Sequence, residues 1–353
     1  MKPDRIAEAL LPPLIALAIS FVIGDLLIIG FGQSPGEVFR LLLEGTWGNA
    51  YGVGQVLYKA TTLAFTGLSV AIALQAGLFN VGAEGQLTAG AFGAALVGIA
   101  LPTGVPAAVA APLCLLGAAV CGGLIGAIPG ALRAWFGAHE VIVTVMMNFI
   151  VLAGLNWVVA AKLHDPETLH TPAIRAGALP RLSTLVPSLH GSAANVGVFV
   201  ALGVIAIMLV VLLRGRFGFD LRAVGLSPDA ARANGIRVGA VWIGALTLAG
   251  ALAGAGGTNF VLGYKGYYED AFAGGIGFMG IAVALVGRNH PIGVLLASLL
   301  FATLSQGGLA IHVLVPKQLV ELLQAIVILA MASASPEARR LLAKLRAPIV
   351  RPS

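Results

Sequence analysis

Charged side chains are scarce in this chain: they make up 10% of its 353 residues, whereas soluble domains carry about 25%. So few charges cannot cover the surface of a soluble protein of this size, and 58% of the residues are hydrophobic. The composition therefore excludes an ordinary soluble domain and predicts an all-α, polytopic transmembrane helical bundle embedded in a lipid bilayer. The net charge of +6 indicates no nucleic acid partner, because basic residues in membrane proteins mark the cytoplasmic side.

Cysteines and catalytic motifs are also lacking. Cys114 and Cys121 lie in one apolar segment, which is typical of small buried side chains rather than of a disulfide. His139-Glu140 opens like a zinc-protease motif, but Val143 stands where the second histidine would be. The chain also has no phosphate-binding loop of the Walker type. We therefore predict that it is not an enzyme, binds no cofactor and does not hydrolyse ATP itself.

Carboxylates within the apolar segments are nearly absent, with Asp25 and Glu84 as the two candidates. Ion-coupled pumps typically use several such groups as a relay, so a transporter with this sequence must take its energy from another subunit. An ion-coupled secondary transporter, or a channel for a small polar solute, is the alternative. Its signature would be paired broken helices, and the segments Asn80–Gln86 and Gly274–Gly280 are candidates for such a pair.

The apolar segments predict about ten membrane spans, in a range of about eight to ten. The predicted spans are Leu10–Gly30, Val56–Ala76, Leu87–Ala100, Ala107–Ile128, Val141–Ala161, Val196–Leu213, Val241–Leu262, Phe272–Val286, Ile292–Ile311 and Val320–Ala334. With the N-terminus inside, 14 of the 21 Lys and Arg residues fall on the inner side. This excess follows the positive-inside rule and predicts that both termini are cytoplasmic.

Residues 1–353 are predicted to form a single transmembrane domain with four segments outside the bilayer. Ser34-Pro35-Gly36-Glu37 has the pattern of a capping box and opens an external amphipathic helix over 34–45. An external loop is expected over 163–195, a cytoplasmic loop over 214–239 and a basic cytoplasmic tail over 335–353. Within the spans, glycines that recur at every fourth residue predict close helix packing, and they are Gly122, Gly126 and Gly130, with Gly250 and Gly254.

The cytoplasmic loop contains the pattern of one short helix with complete caps. Ser227 is a favourable N-cap, and Pro228 suits the first helical position. Asp229 and Arg232 complement the helix dipole, and Gly235 provides a left-handed end. Because a helix of two turns is not stable alone in water, we expect a partner protein to hold it. An ordinary capped loop helix is the alternative.

Ala230 and Ala231 are expected to form the docking surface of this helix, because methyl groups let two backbones approach closely.

The segment Gly77–Gln86 is polar and glycine-rich although it lies between apolar stretches. Such backbone is tolerated at membrane depth only where protein buries it or water lines it. This placement favours a functional role for Asn80 and Glu84, and hydrogen bonds between helices are the alternative explanation for the polar side chains.

Four motifs in order resemble the permease subunits of bacterial ABC importers of the branched-chain amino acid and ribose-type superfamily. They are Gly77–Gln86, Glu140–Asn148, Gly225–Arg232 and Gly280–Pro291. The resemblance covers roughly residues 55–335 and is greatest to the nucleoside permeases associated with basic-membrane-protein-type lipoproteins. It implies a multi-pass subunit in the bacterial cytoplasmic (inner) membrane that imports a nucleoside or a related purine-like or sugar-like solute.

The same resemblance implies partners and residue roles. The expected partners are an ABC ATPase subunit that uses the ATP, a second permease in a heterodimer, and an extracytoplasmic solute-binding lipoprotein. The helix that couples to the ATPase is implied to include Gly225, Ser227, Pro228, Asp229, Ala230, Ala231, Arg232, Asn234 and Gly235. The residues implied to lie near the translocation path are Asn80, Glu84, Gln86 and Asn148.

Overall fold

The computed structural model describes residues 3–164, 168–312, 314–316 and 318–330. All regular elements of this described part are helices, so the predicted all-α fold is confirmed there. Contacts group the chain into two compact units, one drawn from Met1–Gly48 and Thr303–Ser353 and the other from Asn49–Ala302. The predicted tail 335–353 lies outside the described residues.

The described α-helices are α1 (Pro3–Gly30), α2 (Pro35–Thr46), α3 (Ala50–Gln75), α4 (Ala83–Ala100), α5 (Ala107–Phe136), α6 (Glu140–Val158), α7 (Gly197–Arg214), α8 (Arg216–Leu226), α9 (Pro228–Ala233), α10 (Val238–Phe260), α11 (Ile276–Val286), α12 (Pro291–Ile311) and α13 (Gln318–Ala330). Two of them continue into a π-helical turn: α6 through Val159–Leu163 and α10 through Val261–Lys265.

Six helices in the described residues are long and apolar enough to cross a bilayer: α3, α5, α6, α7, α10 and α12. Part of α1 and the whole of α2 are together also long and apolar enough to cross a bilayer, although the chain bends by 112° between them. If these two helices form one span, the number of candidate spans is seven. Helices α11 and α13 are apolar but shorter. The multi-pass architecture thus agrees with the sequence, whereas ten spans are not confirmed and the cytoplasmic termini stay a prediction.

Helix α3 occupies the interior of the larger unit. In the most apolar 18-residue stretch of α3, 83% of the residues are buried, whereas only 17% are buried in the corresponding stretch of the span that begins at α6. Yet α3 has the lower mean hydropathy of the two, 1.4 against 2.1, because it carries buried hydroxyl side chains such as Thr62, Thr66 and Ser69. Burial in this unit therefore follows contact with other helices, while the most apolar helices expose their side chains as lipid-facing surfaces do.

Glycines bring α4, α5 and α10 into backbone contact. A Cβ atom added at Gly126 of α5 would lie 2.1 Å from the carbonyl oxygen of Leu246 in α10. One added at Gly122 would lie 2.3 Å from the carbonyl oxygen of Gly250, and one at Gly90 of α4 would lie 2.1 Å from the Cα of Gly254. Only glycine fits at such distances. The predicted close-packing faces of α5 and α10 are therefore confirmed, and they pack on each other.

Two expectations about the segments outside the spans need correction. Helix α2 starts at Pro35 as expected, but the Ser34 side chain makes no capping hydrogen bond, so no capping box forms. The segment 214–239 is not mainly loop, because α8 fills its first half. Helix α8 escaped the sequence interpretation because Gly218 and Gly225 interrupt its apolar pattern. Whether α2 lies outside the bilayer stays a prediction.

The described part of the expected external loop is irregular chain bound to its neighbours. Backbone N–H groups of Thr171, Ile174 and Leu179 donate to the carbonyls of Tyr268, Gly266 and Leu262, at 2.9, 2.8 and 2.8 Å. The His170 ring also stacks on Tyr267, with 4.1 Å between centroids. These bonds connect the loop to the end of α10.

A pair of glycine substitutions tests the packing of α5 on α10. Gly126→Ala is expected to destabilise the protein, since overpacking typically costs about 1–3 kcal/mol. Gly203→Ala in α7 is the matched control, because a Cβ there meets nothing within 4 Å and alanine favours helix by up to about 1 kcal/mol. Thermal unfolding of the detergent-purified protein should show a lower Tm for the first variant only. Equal values would contradict the proposed contact.

Candidate functional site

Helix α9 has the caps that its sequence predicts. The Ser227 Oγ accepts a hydrogen bond from the backbone N–H of Ala230 at 3.3 Å, and Pro228 occupies the first turn. Asp229 and Arg232 form an ion pair at 3.0 Å across the exposed face. Gly235 adopts a left-handed φ of +80° just past the helix. Local interactions alone therefore define where this helix begins and ends.

The exposed face of α9 differs from the one expected. Ala230, Ala233 and Asn234 are exposed, whereas Ala231 is 4% exposed and packs within the chain itself. The Asn234 side chain donates to the carbonyl of Ala230 at 2.8 Å and closes the helix end. The expected surface of Ala230 and Ala231 is therefore wrong in its second member. A partner can reach Ala230 but not Ala231.

The chain just before α9 rests on the end of α3. A Cβ added at Gly225 would lie 2.2 Å from the carbonyl oxygen of Gln75, and one added at Gly77 would lie 3.3 Å from the Cα of Gly225. Gly77 has a left-handed φ of +73° and begins the break between α3 and α4. Backbone contact thus joins the short helix to the start of the break.

The break is shorter than the sequence predicts. Helix α4 begins at Ala83, so Glu84 and Gln86 lie in its first turns rather than in irregular backbone. The irregular part spans 76–82. The polar glycine-rich composition concealed this helix start, because Gly82 serves as its N-cap.

Asn80 in the break and Gln86 in α4 hydrogen-bond each other reciprocally. The Asn80 Nδ2 donates to Gln86 Oε1 at 2.8 Å, and the Gln86 Nε2 donates to Asn80 Oδ1 at 3.0 Å. Asn80 also donates to the Ser69 hydroxyl at 3.1 Å and accepts from the backbone N–H of Gly82 at 3.2 Å. Both side chains are at most 1% exposed. They hold the break against α3.

Asn148 of α6 bridges the two sides of the same break. Its Oδ1 accepts from the backbone N–H of Gly85 at 2.8 Å, and its Nδ2 donates to the carbonyl of Val81 at 2.9 Å. Asn148 is 3% exposed. Because a buried backbone group needs a partner, this side chain compensates for the interrupted helix.

Glu84 connects α4 to the N-terminus of α11. Its two carboxylate oxygens accept hydrogen bonds from the backbone N–H groups of Gly275 and Gly277, at 2.8 and 2.6 Å. A carboxylate is favoured there, because the first N–H groups of a helix have no partner within it and carry partial positive charge. A Cβ at Gly277 would lie 2.3 Å from the Glu84 nitrogen, so the two backbones also touch.

The structure therefore brings Asn80, Glu84, Gln86 and Asn148 together around one break. Their polar atoms bond within the chain, which supports the role of positioning the break. Contact of these side chains with a solute stays a prediction.

A second buried polar cluster escaped the sequence interpretation. Asn259 of α10 donates to the Thr62 hydroxyl at 2.8 Å and to the carbonyl of Tyr58 at 2.9 Å, and it accepts from Asn195 at 2.8 Å. A lone asparagine after the pair Gly256-Gly257 was the available signal. Beside Asn259 lies a mostly apolar cavity of about 160 Å³, which is smaller than the range of about 300–1,000 Å³ typical of ligand pockets.

Replacing Glu84 tests its role at the N-terminus of α11. Glu84→Gln keeps one acceptor but turns an NH2 donor toward a backbone N–H, and an unsatisfied buried group costs about 1–3 kcal/mol. Glu84→Leu leaves both N–H groups without an acceptor. We expect Tm to fall in the order wild type, Gln variant, Leu variant. The exposed Glu37→Gln is the control. An unchanged Tm in the Leu variant would contradict the capping role.

The family model described as branched-chain amino acid transport system, permease component, matches residues 52–332. The guanosine ABC transporter permease protein NupP of Bacillus subtilis is 39% identical over 92% of this chain and 93% of its own length. The nucleoside ABC transporter permease protein NupB of Lactococcus lactis subsp. cremoris is 36% identical over 84% and 83%.

A relative named for a different solute is also similar. The glucose ABC transporter permease protein TsgB13 of Haloferax volcanii is 33% identical over 93% of this chain and 89% of its own length. No solved structure matches the chain significantly.

Proposed function

This chain belongs to the family of permease components of branched-chain amino acid transport systems, and we propose that it imports nucleosides. Membership makes it a multi-pass permease subunit of an ABC transporter rather than an enzyme, and implies an ABC ATPase and a solute-binding partner. The structural observation that supports coupling to the ATPase is the capped helix α9 with its exposed Ala230, together with Gly225 in the last turn of α8, which contacts the end of α3 beside the break.

The nucleoside assignment follows from the similarity to permeases named for guanosine and nucleosides, at 39% and 36% identity. The relative named for glucose, at 33%, has a lower identity. A nucleoside offers hydroxyls and base edges, and these pair with uncharged donors and acceptors. Related purine-like and sugar-like solutes present the same groups.

The transport unit is proposed to be a heterodimer with a second permease, in the bacterial cytoplasmic membrane. The second permease completes the translocation path. A solute-binding lipoprotein delivers the solute from outside. ATP is used by the separate ATPase subunit, and this chain holds no cofactor. Both termini and α9 face the cytoplasm.

We propose that the energy of ATP hydrolysis reaches the translocation path through α9. The exposed surface of α9 around Ala230 sits in a groove of the ATPase subunit. Displacement of α9 passes through Gly225 to the end of α3 and to the break. We infer that the break moves as one body beside the solute, and the hydrogen bonds of Asn80, Gln86 and Asn148 support this inference.

Reconstitution distinguishes this proposal from an ion-coupled transporter. The chain is placed in proteoliposomes with its ATPase and second permease, and the solute-binding lipoprotein is added with radiolabelled guanosine. Uptake that requires ATP is expected. Uptake driven by a proton or sodium gradient in vesicles without the ATPase would contradict the proposal.

A charge at Ala230 tests docking directly. Ala230→Glu should release the ATPase, because burying an unpaired charge at an interface costs several kcal/mol, which weakens binding by more than about a hundredfold. On a solvated helix the same change would cost at most about 0.5 kcal/mol. Ala230→Ser, which stays small and uncharged, is the matched control. The measurement is recovery of the ATPase with the purified permease, and normal recovery with Ala230→Glu would sink the docking assignment.

A further inference from the structure

The turn between α11 and α12 has an unusual backbone. Arg288 and Asn289 are both left-handed, with φ of 54° and 56°. Asparagine tolerates this conformation, but arginine adopts it at an energetic cost. Backbone bonds hold the turn in place: the N–H of Asn289 donates to the carbonyl of Ala284 at 2.9 Å, and that of Arg288 to Leu285 at 3.0 Å. Arg288 is exposed.

This turn contacts the same helix end that supports α9. The Gln75 Nε2 donates to the backbone carbonyl of Asn289 at 2.8 Å. The carbonyl of Gln75 is also the group that Gly225 approaches. The end of α3 therefore lies between the turn and the chain that leads into α9, which puts both on one side of the membrane.

Two acceptor oxygens at this junction have no hydrogen-bond partner among the described residues. They are Gln75 Oε1 and Asn289 Oδ1, and both atoms are buried. Buried polar atoms are normally satisfied, so such exceptions call for an explanation. These two atoms and the left-handed backbone of Arg288 are the features of the turn that call for an explanation. Residues with uncommon backbone conformations cluster at ligand contacts and switch segments.

The geometry points to the turn Gly287–His290 as a second contact for the ATPase subunit, in which Arg288 meets an acidic side chain of that subunit. This inference rests on the proposed function. Two observations support it. The turn adjoins the proposed α9 contact through Gln75, and its exposed residue Arg288 carries a positive charge. An ATPase subunit that contacts both α9 and this turn would act on the end of α3 from two sides.

The variant Arg288→Gly distinguishes a turn that binds the ATPase subunit from a turn that only connects two helices. Glycine adopts the left-handed conformation readily, so the backbone of the turn should be kept, and an unchanged helical circular dichroism spectrum of the purified variant checks this. If the turn binds the ATPase, recovery of that subunit with the purified permease should still fall, by about tenfold for a central interface residue. Arg288→Lys keeps the charge and the backbone cost, and should retain most of the recovery. Normal recovery and normal ATP-driven uptake with Arg288→Gly would overturn the inference.

Ala230→Glu, measured in parallel, separates this inference from the proposed function. Release of the ATPase by Ala230→Glu but not by Arg288→Gly refutes the second contact alone, whereas no release by either variant refutes docking through α9 as well. A photo-crosslinking amino acid at position 288 of the assembled importer gives an independent measurement. An adduct with the ATPase supports the inference, and adducts with lipid or the second permease only would refute it.

Discussion

Backbone contact through glycine is the constraint on which the rest of the larger unit depends. Lipid tails are as apolar as leucine, so helices in a bilayer associate through close packing rather than through the hydrophobic effect. Gly122 and Gly126 of α5 approach the backbone of α10, and Gly90 of α4 approaches Gly254. These contacts fix three helices at once. The start of α4, and with it the first-turn residue Glu84, is therefore held in a defined position relative to α5 and α10.

The contacts among α4, α5 and α10 also fix where the polar side chains around the break can form hydrogen bonds. An interrupted helix leaves backbone groups without partners, and where these groups are buried the protein must supply the partners itself. Asn148 satisfies two such groups, and Glu84 satisfies two more at α11. The break is thus stable although it is irregular, and it is bonded to α6 and α11 while its first glycine touches Gly225. A segment bonded in this way can move as a unit.

Features determined by neighbouring residues could be predicted from the sequence, and features determined by tertiary contacts could not. The caps of α9 depend on residues within one short segment, so Ser227, Pro228 and Gly235 were sufficient to predict them. The four-residue spacing of glycines in α5 likewise predicted close packing. The acceptor role of Glu84 depends on an N–H group 191 residues away, and the burial of Ala231 depends on which face of α9 packs against the chain. The span count is not confirmed, because apolar composition alone does not distinguish a full span from short helices such as α11.

Helix α9 and the break are joined through Gly225, in the last turn of α8. Substituting Gly225→Ala places a Cβ 2.2 Å from the carbonyl oxygen of Gln75, so the two segments must separate there. Gly244→Ala is the control, because its Cβ would lie 3.4 Å from the Phe217 ring, an ordinary contact. The decisive measurement is guanosine uptake per ATP hydrolysed in proteoliposomes. We expect Gly225→Ala to retain the ATPase and its hydrolysis but to lose most of the uptake per ATP. An unchanged ratio would show that contact at Gly225 does not couple α9 to the break.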